Sequence, residues 1–163
     1  MIDAISIPEE RARLLRKNEK LLKVIEKACS VKVSIKENEI WMEGNPIEIL
    51  RVKEVFRAFG RGFSWNDSLN LLDENYFLEI INVKDYAKSR NRIIELKGRV
   101  IGTRGKIKRI IERETNTKIS IYGKTISIIG KVKNIKTAEK VIRSILEGKK
   151  HGTALKILEE KRE

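Results

Sequence analysis

The sequence predicts an α+β fold built from two copies of one unit, each a three-stranded antiparallel sheet covered by helices. Three observations lead there. Shifted by 86 residues, the chain overlays itself without a gap, and 11 of the 45 positions from 16 to 60 are identical in the second copy. Within each copy the apolar pattern passes from helical spacing to strand alternation and back to helical spacing. Charge also divides the chain: residues 1–80 hold 13 Lys/Arg against 14 Asp/Glu, whereas residues 81–163 hold 23 against 9. The expected units are 1–75 and 76–163.

The first copy opens with a strand over Ala4–Ile7. Leu21, Val24 and Ile25 follow at helical spacing, and Ile107, Ile110 and Ile111 repeat them. Val31, Val33 and Ile35 then alternate as one face of a strand, as Ile119 and Ile121 do within Thr117–Ile121. A short turn, Tyr122-Gly123-Lys124, leads to a strand over Thr125–Ile129 that Gly130 ends. Ile40 and Gly44 hold the matching places in the first copy. The last helix carries Ile135, Ala138, Val141, Ile142 and Ile145 in the second copy, and Ile49 and Val55 in the first. Its start in the first copy is Asn45-Pro46, a capping residue followed by proline at the first helical position.

The second copy opens with a strand over Phe77–Val83. Lys84–Lys97 is expected to extend a helix, with Ile93, Ile94 and Leu96 apolar and Arg90 and Arg92 exposed. The order per unit is strand, helix, turn, helix, strand, strand, helix. Between the units, GRGFSWNDSLNLLDEN (60–75) reads as a loop and a short helix capped by Ser64, Asn66 or Asp67. Its apolar residues, Phe63, Trp65, Leu69, Leu71 and Leu72, are available for burial. A last, basic helix is expected near the end of the chain.

Composition excludes several classes. No apolar run approaches the ~18 residues of a membrane span. MIDAISIPEE lacks a basic leader segment, so no signal peptide and a cytoplasmic location are expected. Cys29 is the only cysteine and His151 the only histidine, which excludes an internal disulfide and any zinc site of several Cys or His ligands. A Cys29–His151 nucleophile pair is the one formal combination left. Neither metal nor cofactor is expected. A near-neutral half joined to a strongly basic half suggests a polyanionic partner for the second half, against the plainer reading of a solvated charged surface.

The segment RVIGTRGKIKRIIERETNTKISIYGKTISIIG (99–130) concentrates that chemistry. Gly102 and Gly105 lack a Cβ, so a phosphate can come close and positive φ is available. The helix starting near Lys106 offers free N–H groups and the positive end of its dipole. Arg104 and Lys106 add charge, and Lys108 and Arg109 extend it. Ile101 and neighbouring apolar side chains offer a floor under splayed bases. The candidate nucleic-acid contact set is Arg99, Ile101, Gly102, Thr103, Arg104, Gly105, Lys106, Lys108, Arg109 and Lys118. Lys118, and Ser120 outside the set, are weaker candidates for base contact, since they point to the opposite strand face from Ile119 and Ile121. In the first copy the matching positions read Arg16-Lys17-Asn18-Glu19, without either glycine. Glu19 would sit at a helix N-terminus and repel a phosphate there. Arg11, Arg13, Arg16 and Lys17 remain possible contacts. Cys29 is expected as a small buried filler on a helix; Trp41 and Trp65 could stack on bases, with packing the favoured reading for Trp41.

The element order with Ile-Gly-x-x-Gly between two helices resembles the type I K-homology (KH) domain, whose GxxG loop clamps about four single-stranded nucleotides. The pair of copies, with FGRGFSWNDSLNLLDENYFLEIINVKDY (59–86), IGTRGK (101–106) and TKISIYGKTISIIGKVKNIKTAEKVIRSILEGKKHG (117–152), resembles the small-subunit assembly factors called Dim2 or Partner of Nob, with their Krr relatives. The resemblance covers nearly the whole chain, and its compact size is similar to archaeal members. It implies RNA binding near the 3′ end of small-subunit ribosomal RNA, within the pre-ribosomal particle, beside the Nob endonuclease; the sequence does not fix the oligomeric state, and a monomer is expected. It leaves the role of Lys149-Lys150-His151-Gly152 open.

Three other classes stand beside a non-catalytic RNA-binding protein. A protein-interaction scaffold would use the same folds with incidental RNA affinity, and a general single-stranded nucleic-acid binder would use the same clamp. A metal-dependent nuclease needs clustered carboxylates. The nine acids of the basic half are instead interleaved with Lys and Arg, as in Glu112-Arg113-Glu114, so no enzyme is expected.

Overall fold

The computed structural model describes residues 1–160. The chain divides into two compact units, Met1–Glu74 and Asn75–Glu163; the last three residues of the expected second unit lie outside the described residues. The first unit runs β1 (Ile2–Ser6), α1 (Glu9–Lys17), α2 (Lys20–Ala28), β2 (Val31–Lys36), β3 (Glu39–Gly44), α3 (Pro46–Gly60) and a short α4 (Trp65–Leu69). The second runs β4 (Phe77–Asn82), α5 (Arg90–Ile101), α6 (Lys106–Thr115), β5 (Lys118–Tyr122), β6 (Thr125–Gly130), α7 (Val132–Leu146) and α8 (His151–Glu160).

Each unit holds one antiparallel sheet with its last strand in the middle, β1-β3-β2 and β4-β6-β5. Ile40 stands opposite Ile5 and Ile35 in the first, and Ile126 opposite Ile81 and Ile121 in the second. A middle strand has neighbours on both sides and helices over one face, so its inward residues are the most buried: Ile40, Met42, Ile126 and Ile128 are at most 1% exposed. Four of the 11 identical positions, Ile40 and Ile126 among them, are core positions in both copies. Ile25 and Ile111, Ile49 and Ile135, and Val55 and Val141 are buried in their own units. Glu26 and Glu112 are identical for a polar reason. Each carboxylate accepts a backbone N–H on an edge strand, from Val33 at 3.0 Å and from Ile119 at 2.9 Å, groups that no neighbouring strand would otherwise satisfy.

Several expectations change. The helix expected from Lys84 begins only at Arg90, because Ser89 caps it by accepting the Arg92 N–H at 3.1 Å. Val83–Asp85 instead form a 3-10 turn, in which Asn82 Oδ1 accepts the Lys84 N–H. On α5, Ile93 and Leu96 are buried while Ile94 is 57% exposed. On α2 the buried stripe is Leu22 and Ile25, and Val24 faces water. Asn45 caps α3 as expected, accepting the Ile47 N–H at 2.9 Å, and Ser64 caps α4. Trp65 is a packing residue, its ring 5.7 Å from those of both Phe56 and Phe59. Trp41 is not packed: it is 42% exposed on the sheet face turned away from the core, since strand alternation puts Ile40 and Met42 inward. Cys29 lies just past the end of α2 and is half-buried rather than a helical filler; burial first, then the Glu48 carboxylate, push its thiol pKa up. Among the described residues no helix is long and apolar enough to cross a membrane.

Candidate nucleic-acid interface

The loop between α5 and α6 is wound by its glycines. Gly102 leaves α5 at φ 75°, ψ 176°, Arg104 stands at φ 56°, ψ 29°, and Gly105 enters α6 at φ 75°, ψ 14°. The Gly102 N–H donates to Gly98 O at 2.9 Å and the Gly105 N–H to Gly102 O at 3.2 Å. The two glycines do different jobs. A Cβ on Gly102 would lie 2.4 Å from Ile107 Cγ1 and 2.9 Å from the Ile107 backbone nitrogen. The first turn of α6 therefore closes onto Gly102, and its missing side chain is a packing requirement. A Cβ on Gly105 would meet only Arg109 Nη1, at 3.3 Å, so that glycine faces open space where a ligand backbone can approach.

Charge is concentrated around this opening. Thr103, Arg104, Lys106 and Arg109 are exposed, and Lys108 is half-buried. Among the described residues no carboxylate pairs with Arg104, Lys106, Lys108 or Arg109. Arg109 also braces the loop, donating from Nη1 to Arg104 O at 2.7 Å. No side chain caps α6, so its first N–H groups and positive dipole end point toward the loop. Ile101 and Ile110 are half-buried beside it. An exposed positive-φ loop, a helix N-terminus and unpaired cations together suit the phosphates of a nucleic-acid backbone.

Two members of the candidate set lie apart. Arg99 is committed to the fold: Nη1 donates to Ile145 O at 2.7 Å and Nη2 to Lys149 O at 2.6 Å, closing the end of α7. His151 Nε2 lies 2.8 Å from Arg99 O, so Lys149–Gly152 is a built corner leading into α8 rather than a solvated tail. Nothing local in the sequence signals this corner, since its partners are 46 to 52 positions apart. Lys118 is exposed on β5, on the sheet face opposite buried Ile119.

The first unit has no such opening. Helix α1 continues through Lys17, and Asn18 and Glu19 connect it to α2 at φ −139° and −65°. Arg16, in the place of Gly102, folds back onto the Glu9 carboxylate and the Glu37 carbonyl. Arg11 donates to Phe59 O and Phe63 O and lies 4.2 Å over the Phe59 ring. Glu19 stands exposed at the N-cap of α2, the place an anion would take. Among the described residues, no group of three or more His, Cys, Asp or Glu side chains is placed to hold a metal ion.

Comparison with known proteins places this geometry in context. Residues 77–163 match the family profile for the second KH domain of PNO1, described as a eukaryotic-type KH domain (KH-domain type I). A KH domain-containing protein of Methanocaldococcus jannaschii is 36% identical over 169 residues, spanning 99% of this chain and 74% of the relative. The crystal structure of Dim2p from Pyrococcus horikoshii OT3 is similar at 33% identity and TM-score 0.88, over 98% of this chain and 99% of that one. A chain of the a/eIF2alpha–aDim2p–rRNA complex from the same organism is similar at 31% identity and TM-score 0.89, over 99% and 94%.

Proposed function

Because this chain belongs to the PNO1/Dim2 family of type I KH-domain proteins, we propose that it is a non-catalytic RNA-binding protein of small-ribosomal-subunit assembly. It grips single-stranded RNA on the Gly102–Gly105 loop, through Gly102, Thr103, Arg104, Gly105, Lys106, Lys108 and Arg109, with Ile101 under the bases. The observation that carries this reading is the open, uncapped, cation-rimmed loop at the start of α6. A similar chain lies in a complex with rRNA and a/eIF2alpha, which supports ribosomal RNA, here assigned to the small subunit, as the ligand. Its 3′ region, a Nob-type endonuclease and the pre-ribosomal particle complete the proposed setting. The protein acts as a cytoplasmic monomer, its first unit a platform without a clamp. It holds RNA and does not cleave it.

The test is fluorescence anisotropy with a single-stranded RNA copying an archaeal small-subunit 3′ end and a scrambled control, over a salt series. A clamp on four phosphates gives a log–log salt slope of about −3. Replacing Thr103 and Arg104 together by Asp should abolish the preference for the native RNA. Equal binding of both RNAs, insensitive to that substitution, would make the loop a plain turn. Cleavage of labelled RNA by clean protein with Mg²⁺ or Mn²⁺ would overturn the non-catalytic assignment.

A further inference from the structure

We propose that the second unit holds the phosphate backbone of the same RNA strand at a second point, a lysine-lined cavity at the far end of α5 from the glycine loop. The proposal rests on the RNA-binding reading above and extends it to a longer footprint. The cavity has a volume of about 640 Å³ and is lined by Lys84, Lys88, Arg90 and Lys124 over a floor of Ala87 and Ile93. Among the described residues four cations and no carboxylate line it; Asp85, in the same turn as Lys84, does not. Among the described residues no ion pair engages any of the four. Elsewhere in this unit Arg92, Arg113 and Arg143 each have a glutamate partner. Four like charges gathered without a counter-charge repel one another, and an anion relieves that repulsion.

The backbone beneath these side chains is fixed in advance. Asn82 Oδ1 accepts the Lys84 N–H at 3.1 Å, and Lys124 O accepts the Val83 N–H at 2.9 Å. The turn carrying Lys84 and the turn carrying Lys124 are therefore tied to each other. Ser89 anchors the start of α5. Along α5, Arg90, Ile94, Lys97 and Ile101 fall on one stripe by helical spacing. That stripe begins in the cavity and ends beside Gly102, about 17 Å away at 1.5 Å per residue. Ile94 sits on it 57% exposed, an apolar surface for a base face between the two phosphate contacts.

The first unit acts as an internal control. There the passage from β1 to α1 is only Ile7 and Pro8, and the first turn of α1 carries Glu9 and Glu10. In the second unit the passage is lengthened by the segment bearing Lys84 and Lys88, and the first turn of α5 carries no acid. The basic insertion belongs to the copy with the open loop.

The experiment compares a four-nucleotide and a ten-nucleotide RNA, both from the archaeal small-subunit 3′ end, by anisotropy across a salt series. The proteins are the native chain, a Lys84→Ala/Lys88→Ala/Lys124→Ala variant, and the Thr103→Asp/Arg104→Asp variant. The three lysines are exposed, and a circular dichroism melt checks that their removal leaves the fold intact. Losing about three phosphate contacts should flatten the log–log salt slope for the ten-mer by about 2. Its affinity should fall about tenfold at low salt, while four-mer binding stays as it was. An unchanged ten-mer slope overturns the second contact. So does an equal loss for both RNAs, which would make the lysines a diffuse field. If the loop variant loses RNA while the lysine variant keeps it, only this proposal falls. If the native chain binds neither RNA, the RNA-binding reading falls with it.

Discussion

Gly102→Ala and Gly105→Ala look alike in sequence and should differ sharply in effect. At Gly102 the backbone has φ 75° and ψ 176°, a region held almost only by glycine and costing about 1–3 kcal/mol for another residue. The new Cβ would also lie 2.4 Å from Ile107 Cγ1, 2.9 Å from Ile107 Cβ and 2.9 Å from the Ile107 nitrogen. Neither a backbone nitrogen nor the stiff, β-branched root of a buried isoleucine can step aside, and overpacking of this kind costs about 1–3 kcal/mol. The sum is about 2–6 kcal/mol, centred near 4. At Gly105 the left-handed conformation costs about 1–2 kcal/mol, partly offset by lower entropy of the unfolded chain. Among the described residues its one close neighbour is Arg109 Nη1, at 3.3 Å, the far end of a long side chain that can yield a few tenths of an ångström on its hydrogen bond to Arg104 O, so the net loss is about 1 kcal/mol. For a unit this size each kcal/mol moves Tm by about 4–8 °C. Thermal unfolding by circular dichroism should therefore place Gly102→Ala more than about 10 °C below Gly105→Ala. Equal melting temperatures would refute the division of labour between the glycines.

Arg99→Ala should lower stability by about 1–2 kcal/mol, since it removes two charge-assisted hydrogen bonds, to Ile145 O, which keeps the Gly148 N–H, and to the exposed Lys149 O; Arg99→Lys should recover little, because an ammonium cannot reproduce the two-pronged geometry, and chemical denaturation of both variants measures this. Arg104→Gly should raise stability by about 0.5–1 kcal/mol by relieving a non-glycine residue at φ 56°, yet weaken RNA binding through the lost charge; urea melts and anisotropy on the same preparation separate the two effects. Asp3 is held below its ordinary pKa near 3.8, first by the hydrogen bond from Lys53 and then by the Ala4 N–H. A depressed carboxyl contributes stability above its unfolded pKa and loses it as pH falls through the lower folded value. The stability gap between the native chain and Asp3→Asn should thus be open at neutral pH and close below about pH 4, as read by urea denaturation.

The fold class, the repeat, the two unlike copies and the loop of Gly102–Gly105 were legible in the sequence, because each rests on local pattern: apolar period, a capping residue such as Asn45, a pair of glycines in a basic segment. Four of the identical repeat positions, at Ile25, Ile40, Ile49 and Val55, proved to be core positions in both copies, because burial constrains residue type most tightly where no water can compensate. Tertiary structure alone decided the rest. Whether Ile94 and Val24 lie inward depended on how α5 and α2 are rotated on their sheets, which the surrounding pattern of isoleucines and leucines leaves ambiguous. The start of α5 turned on one hydroxyl, Ser89, competing with a basic stretch that could have continued the helix. Arg99 reads as one more cation beside the loop until the carbonyls of Ile145 and Lys149 arrive from the far end of α7. The gathering of Lys84, Lys88, Arg90 and Lys124 likewise joins two turns 40 positions apart. Charge can be counted along a chain, but its concentration in space depends on long-range backbone contacts, here the hydrogen bond from the Val83 N–H to Lys124 O.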